Sequence, residues 1–182
     1  GQCTLSQAGS AECRDLMGGH VGGDDFWDVN ADTADREHDT ESWGTSVKLL
    51  WQASESVTFS SITGYRELDR FHSWDSDGPY NLVEGTMGTD NSLFSQELSI
   101  SLSGKNSYWQ SGLYYLKEEI DQNNSFDLFR DFRGVLAQGP GEFFYDNSLE
   151  NSSIAIFSQL DYDLSETTVV TAGSRYTDET TD

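Results

Sequence analysis

From Trp43 onward, apolar and polar positions alternate with a period of two, which is typical of strands that have two different faces. The clearest alternation is in 92–103, where one face carries Phe94, Gln96, Leu98, Ile100 and Leu102. The intervening positions of this run are mainly Ser and Glu. The pattern predicts six strands, which lie near 43–52, 57–74, 92–103, 107–121, 149–162 and 167–178.

Short and long connections alternate between these predicted strands. Tight turns occupy 53–56, 104–106 and 164–167, whereas 75–91 and 122–148 are long links rich in Asp, Asn, Gly and Ser. Outer-membrane barrels have short periplasmic turns and long extracellular loops. The sequence therefore predicts an all-β chain, an antiparallel meander that forms part of a transmembrane outer-membrane β-barrel with long extracellular loops.

Aromatic residues collect at both ends of the predicted strands, on the face that we assign to lipid. Trp and Tyr prefer the two membrane interfaces, where the ring is apolar and the polar atom stays wet. Near the short turns they are Trp51, Trp109 and Tyr162, and toward the opposite ends they are Trp43, Tyr65, Tyr115 and Tyr176. Six strands cannot close such a barrel, for which about eight is the usual minimum. We therefore expect that additional strands, outside this sequence, complete the barrel.

Five short runs, taken in order, resemble barrel strands of the TonB-dependent outer-membrane receptors. They are SSITGYR at 60–66, FSQELS at 94–99, SGLYY with KEE at 111–119, AIFSQL at 155–160 and TAGSRYT at 171–177. The resemblance covers 43–182. It implies a barrel of roughly 22 strands, plugged by an N-terminal globular domain. It also implies uptake of a scarce ligand, most often a ferric siderophore, with energy that TonB supplies through an N-terminal box.

Neither the plug nor the TonB box is recognisable, and the chain begins at Gly1 without an initiator Met. We therefore expect a fragment that does not transport alone. Its expected location is the bacterial outer membrane, where its partners are membrane lipid, lipopolysaccharide and a small-molecule ligand. TonB and the plug domain would be reached through the missing part of the chain.

The charge of the chain is strongly acidic, with a formal net value of -22 and 10 Lys and Arg residues. This composition excludes nucleic acid as a partner, because a phosphate backbone requires basic side chains. Acidic residues dominate 1–42, which we interpret as an acidic extracellular loop region. Cys3 and Cys13 both lie there and predict a local disulfide in an oxidising compartment; two unrelated free thiols are the alternative.

The same segment contains a D-x-N-x-D-x-x-D run formed by Asp28, Asn30, Asp32 and Asp35. Alternating oxygen ligands of this kind are typical of calcium loops, although Thr33 stands where such a loop has Gly. A solvated acidic loop is the alternative. No other cofactor is indicated. The chain has no nucleophile elbow, phosphate loop or dinucleotide fingerprint, so we expect no enzymatic activity.

The strand phase also predicts which polar side chains face the barrel lumen: Lys48, Arg66, Glu97, Glu118, Gln159 and Arg175. They form either a ligand path or plug-docking surface, or an ordinary solvated wall. The loop regions and their borders add aromatic residues that are candidates for ligand contact: Trp27, Trp74, Tyr80, Phe129 and Phe143. Their alternative role is to form small hydrophobic clusters that fold the loops.

Two other classes of protein remain as alternatives: a soluble β-sandwich that binds a ligand, and a porin-type barrel without a plug. A sandwich packs its apolar strand faces against each other in a closed core. A barrel wall instead turns outward Trp43, Val47, Leu98, Ile100, Leu113 and Ile156.

Overall fold

A computed structural model describes residues 38–76, 82–130, 133 and 141–182. These residues form six strands: β1 (His38–Gln52), β2 (Val57–Asp75), β3 (Val83–Ser103), β4 (Ser107–Leu128), β5 (Glu142–Ser165) and β6 (Thr168–Thr181). Their order in the sheet is the order of the chain. The predicted all-β antiparallel meander is confirmed.

The sheet is open, because β1 and β6 are its two edges and do not pair with each other. The register between β5 and β6 is regular from Asn151 to Asp163 and shifts between Asp163 and Ser165; within the regular part, Ile156 lies opposite Tyr176 and Phe157 lies opposite Arg175. Directly opposed residues share a face of the sheet. The register thus separates Ile156 and Tyr176 from Phe157 and Arg175.

The short turns at 53–56 and 104–106 lie where the sequence predicts them, whereas the predicted turn 164–167 is reduced to 166–167 because β5 continues to Ser165. The turn between β1 and β2 is closed by the amide of Ala53, which donates to the carbonyl of Val57 over 3.0 Å. The turn between β3 and β4 is closed by the amide of Gly104, which donates to the carbonyl of Ser107 over 2.7 Å. Each bond satisfies backbone groups that the strand ladder leaves open.

The strands are longer than the periodicity predicts, and the two long links are correspondingly shorter. β1 begins at His38, so the end of the predicted acidic loop region 1–42 is a strand. β3 begins at Val83, β4 continues to Leu128 and β5 begins at Glu142, which leaves 76–82 and 129–141 as links. The added segments lack alternation of apolar and polar residues. They are strands because pairing uses backbone groups, which every residue type except Pro supplies.

The chain divides into two compact units. The first, which we call the aromatic unit, comprises Gly1–Thr40, Arg70–Thr89 and Gln122–Asn147, insofar as these residues are described. The second, which we call the two-faced unit, comprises Glu41–Asp69, Asp90–Asp121 and Ser148–Asp182.

Burial in the two-faced unit is the reverse of that in a soluble domain. Leu98, Leu113 and Ile156 remain 51%, 52% and 54% exposed. Ser99, next to Leu98 in β3, is only 7% exposed, and Ala155 is the one buried apolar residue among those that the structure describes. The described residues therefore form no closed apolar core.

Within the described part of the chain, no helix is long and apolar enough to cross a membrane.

Candidate functional site

The polar face of the two-faced unit brings together the six residues that we predict to face the lumen. Gly44 and Arg66 share this face, because a Cβ built on Gly44 would lie 3.6 Å from the Cβ of Arg66. Lys48 follows Gly44 on β1 by alternation. Gly64 and Ser95 also share it, since a Cβ on Gly64 would lie 2.8 Å from the Ser95 hydroxyl, and alternation then places Glu97 there.

Contacts across β3, β4, β5 and β6 extend the same face. Glu118 accepts hydrogen bonds from Asn91 on β3 (2.9 Å) and from Asn151 on β5 (3.3 Å). The guanidinium of Arg175 lies over the ring of Tyr114, 5.2 Å from its centroid, in a cation–π arrangement. Gln159 lies opposite Gly173, two residues from Arg175 on the same face.

Close packing also shapes this polar face. A Cβ on Gly112 would approach the Phe157 ring to 2.6 Å and the carbonyl oxygen of Leu98 to 2.6 Å. Only glycine therefore lets the Phe157 ring cross β4 at this point. The face thus combines charged side chains with a ring that packs over Gly112.

The opposite face of the two-faced unit is apolar and carries the predicted aromatic residues as cross-strand pairs. The rings of Trp43 and Tyr65 are 5.5 Å apart, and those of Trp51 and Phe59 are 5.3 Å apart and stacked. Their polar atoms have partners, since the Trp43 indole donates to Glu67 over 2.8 Å and the Tyr65 hydroxyl donates to the same carboxylate. The six residues that we expect to face outward in a barrel all lie on this face: Trp43, Val47, Leu98, Ile100, Leu113 and Ile156.

Carboxylates line a concavity of about 420 Å³ beside Trp43 in the two-faced unit. Its acidic members are Glu41, Glu67, Asp69, Asp90, Glu119 and Asp121. The ammonium of Lys117 compensates part of this charge, at 2.7 Å from Glu119 and 3.3 Å from Glu150. Within the described residues, no group of three or more His, Cys, Asp or Glu side chains is arranged to hold a metal ion.

The aromatic unit brings two of the predicted ligand-contact residues to one ring. Trp74 meets Phe126 edge-on at 5.3 Å between centroids, and Phe143 stacks on Phe126 at 5.1 Å. Tyr145 stacks on the same ring at 6.0 Å. Phe129 does not join this cluster; it is exposed and has a φ of 57°, in the left-handed region.

Gly85 makes room for this aromatic cluster. A Cβ at that position would lie 2.8 Å from the six-membered ring of Trp74. A side chain on Gly85 would therefore push the indole away from Phe126.

Ion pairs supplement the rings of the aromatic unit. The carboxylate of Glu84 is buried and accepts from Arg130 over 2.7 Å. Arg133 pairs with Asp127 and approaches Glu142 at 3.6 Å. These acidic residues line a small cavity of about 180 Å³ together with Phe126 and Phe144. Glu84 and Arg130 were not predicted as site residues, because their polar surroundings in the sequence carry no motif.

Several predicted site residues lie outside the residues that the structure describes. They are the disulfide candidates Cys3 and Cys13, the calcium-loop candidates Asp28, Asn30, Asp32 and Asp35, and the ligand-contact candidates Trp27 and Tyr80. Their roles stay predictions.

Comparison with known proteins yields no relative: no protein-family model, no curated protein and no solved structure matches the chain. A function is therefore inferred from the fold and from the contacts of the described residues.

Proposed function

We propose that the chain is a segment of the wall of an outer-membrane β-barrel, and that this barrel is a TonB-dependent receptor which imports a scarce small molecule. The observation that carries the proposal is the reversed burial of the two-faced unit. Leu98, Leu113 and Ile156 are exposed on one face, whereas Glu118 and Arg175 lie among the polar side chains of the other.

The exposed apolar face would be stabilised by a hydrocarbon environment. Burying one large aliphatic side chain contributes roughly 1.5–3 kcal/mol relative to leaving it in water. Leu98, Leu113 and Ile156 gain little of this free energy from the described chain, since each is more than half exposed. The acyl chains of a bilayer would supply it.

The polar face suits a wet lumen or the surface of a plug domain. Placing the charged and hydrogen-bonding groups of Glu118, Arg175 and Gln159 in lipid would destabilise the folded protein, but such groups are tolerated inside a barrel. The two open edges support the same proposal, because unpaired backbone groups cannot remain in hydrocarbon. Further strands would pair with β1 and β6 and continue the wall.

The receptor class is supported by the ordered resemblance of five strand runs within 43–182, and by the aromatic cluster on Phe126. Trp74, Phe143 and Tyr145 offer a ring surface that a small ligand can contact. In this proposal TonB and the plug act through other parts of the receptor, and the segment has no catalytic role.

Labelling of neighbouring residues on β3 tests the membrane wall. Leu98→Cys and Glu97→Cys are a matched pair, because alternation places them on opposite faces. In outer membranes, we expect a membrane-impermeant, water-soluble maleimide that enters the lumen to label Glu97→Cys but not Leu98→Cys, because maleimide reacts with the thiolate and a thiol in hydrocarbon stays protonated. The unsubstituted protein measures the background from Cys3 and Cys13.

Equal labelling of both positions by the water-soluble reagent would contradict the proposal of a barrel wall. A protein that stays in solution when membranes are removed without detergent would contradict it too. Those results would favour the β-sandwich, whose second sheet would have to cover Leu98.

The receptor class has a separate test in the gene. A plug domain and a TonB box encoded upstream of Gly1 are expected. A barrel-encoding gene without them would support the plug-less porin instead.

A further inference from the structure

The apolar face of the two-faced unit contains a groove of about 520 Å³. Leu49, Trp51 and Phe59 line one part of it, and Leu98, Leu113 and Ile156 line another. Small residues such as Ser61 and Ser111 lie between these larger side chains. The groove is therefore a depression in the surface that we propose to face lipid.

None of the lining residues carries a charge. This is notable in a chain of net charge -22, in which another concavity of the same unit is lined by six carboxylates. The two concavities thus differ in the chemistry that they accept. A charged group would lose its hydration in the groove without meeting an opposite charge, so the occupant must be uncharged there.

Three polar side chains along the groove already have partners within the sheet. The indole of Trp109 donates to Ser158 over 2.8 Å, and the hydroxyl of Ser111 donates to the carbonyl of Phe157 over 2.8 Å. Ser61 accepts from the amide of Gln96 over 3.0 Å. A peptide in the groove would find few partners for its backbone groups, which is costly in an apolar setting. A hydrocarbon chain has no such requirement.

The groove lies next to the short turns. Trp51 is near the end of β1, Phe59 is near the start of β2, and Trp109 is near the start of β4. Short turns are on the periplasmic side of an outer-membrane barrel. The periplasmic leaflet of that membrane consists of phospholipid rather than lipopolysaccharide.

We propose that this groove holds one acyl chain of a phospholipid and retains that lipid on the barrel wall. The inference rests on the proposed function, since it requires that the apolar face lie in a bilayer. It goes further by naming a particular binding position, a chemical class of occupant and a leaflet.

The first experiment uses the full-length protein in vesicles of phosphatidylethanolamine and phosphatidylglycerol, with a trace of phospholipid brominated on its acyl chains. Bromine quenches tryptophan fluorescence only on contact. We expect stronger quenching than random contact predicts, and a loss of that excess in Trp51→Phe and Trp109→Phe. Trp74→Phe is the control, because Trp74 belongs to the aromatic unit.

The second experiment counts phospholipids that remain bound during detergent purification, by native mass spectrometry. Leu98→Trp and Leu113→Trp place a larger side chain in the groove. We expect retention to weaken roughly tenfold, the factor that corresponds to excluding about two methylene groups. Ile154→Trp is the matched control, since Ile154 is exposed but does not line the groove.

Quenching at the random level in the unsubstituted protein would overturn the acyl-chain site, and so would an equal loss of lipid in Ile154→Trp. Retention of lipopolysaccharide in place of phospholipid would overturn the leaflet assignment. If the protein is integral to the membrane and shows one of these results, the proposal of a barrel wall is retained and only the lipid site is rejected. A protein that does not enter membranes would overturn both proposals, so the two failures are distinguishable.

Discussion

The side chains of the two units differ in the partners that they find within the chain. In the aromatic unit, rings pack on Phe126 and the carboxylate of Glu84 is buried against Arg130. In the two-faced unit, the polar side chains also bond to one another, but Leu98, Leu113 and Ile156 stay exposed.

The difference shows what each unit requires from its surroundings. Aromatic contacts and ion pairs give many groups of the aromatic unit local partners, although Phe143 and Phe144 stay exposed. The two-faced unit covers only its polar half. Its apolar half has no apolar cover within the described residues, which is the physical basis for proposing a membrane environment.

The largest effect is expected from Leu98→Arg, which puts a charge on the apolar face. If that face lies in the middle of a bilayer, the substitution should destabilise the folded protein by roughly 2–4 kcal/mol. Urea unfolding in lipid vesicles measures this. Glu97→Arg is the control, because it changes the polar face of the same strand and should have a much smaller effect. Similar losses for both variants would remove the distinction between the two faces.

Gly112→Val tests the packing of Phe157 across β4. The added Cβ would meet both the Phe157 ring and the backbone at 2.6 Å, and overpacking of this kind costs about 1–3 kcal/mol. Thermal unfolding of the detergent-solubilised protein measures the loss. Gly173→Ala is a suitable control, since the nearest atom to its Cβ would be 3.5 Å away. A Gly112 variant as stable as this control would show that the ring can move aside.

Phe126→Leu tests the ring cluster of the aromatic unit. It removes the shared partner of Trp74, Phe143 and Tyr145, and we expect a loss of about 1 kcal/mol. The near-ultraviolet circular dichroism of Trp74 should weaken at the same time. Phe129→Leu should leave that signal unchanged, because Phe129 has no ring contact with the described residues. An unchanged signal in Phe126→Leu would contradict the cluster.

Lys117→Gln should have the smallest effect on stability, because the partners of Lys117 are about half exposed. Its effect should shrink further at high salt, which screens exposed ion pairs. Unfolding midpoints at low and high ionic strength provide the measurement. A large loss that salt does not alter would mean that the pair lies in a drier environment than its exposure indicates.

Much of the two-faced unit was predictable from the sequence. Alternation in 92–103 placed Glu97 and Leu98 on opposite faces, and the short turns at 53–56 and 104–106 are confirmed. These features are local: side-chain direction in a strand has a period of two, and tight turns depend on a few adjacent residues. The extensions of β3, β4 and β5 were not predictable, because their segments carry no periodic apolar signal.

The sequence by itself determined the strand faces, the meander and the residues that each face would carry. Only the tertiary structure decided that Trp74 and Phe143 meet at Phe126, that Glu84 is buried against Arg130, and that the apolar face contains an uncharged groove. The physical reason is that these features depend on which residues lie opposite each other across neighbouring strands. Strand register sets that alignment, and the pattern within a single strand does not contain it.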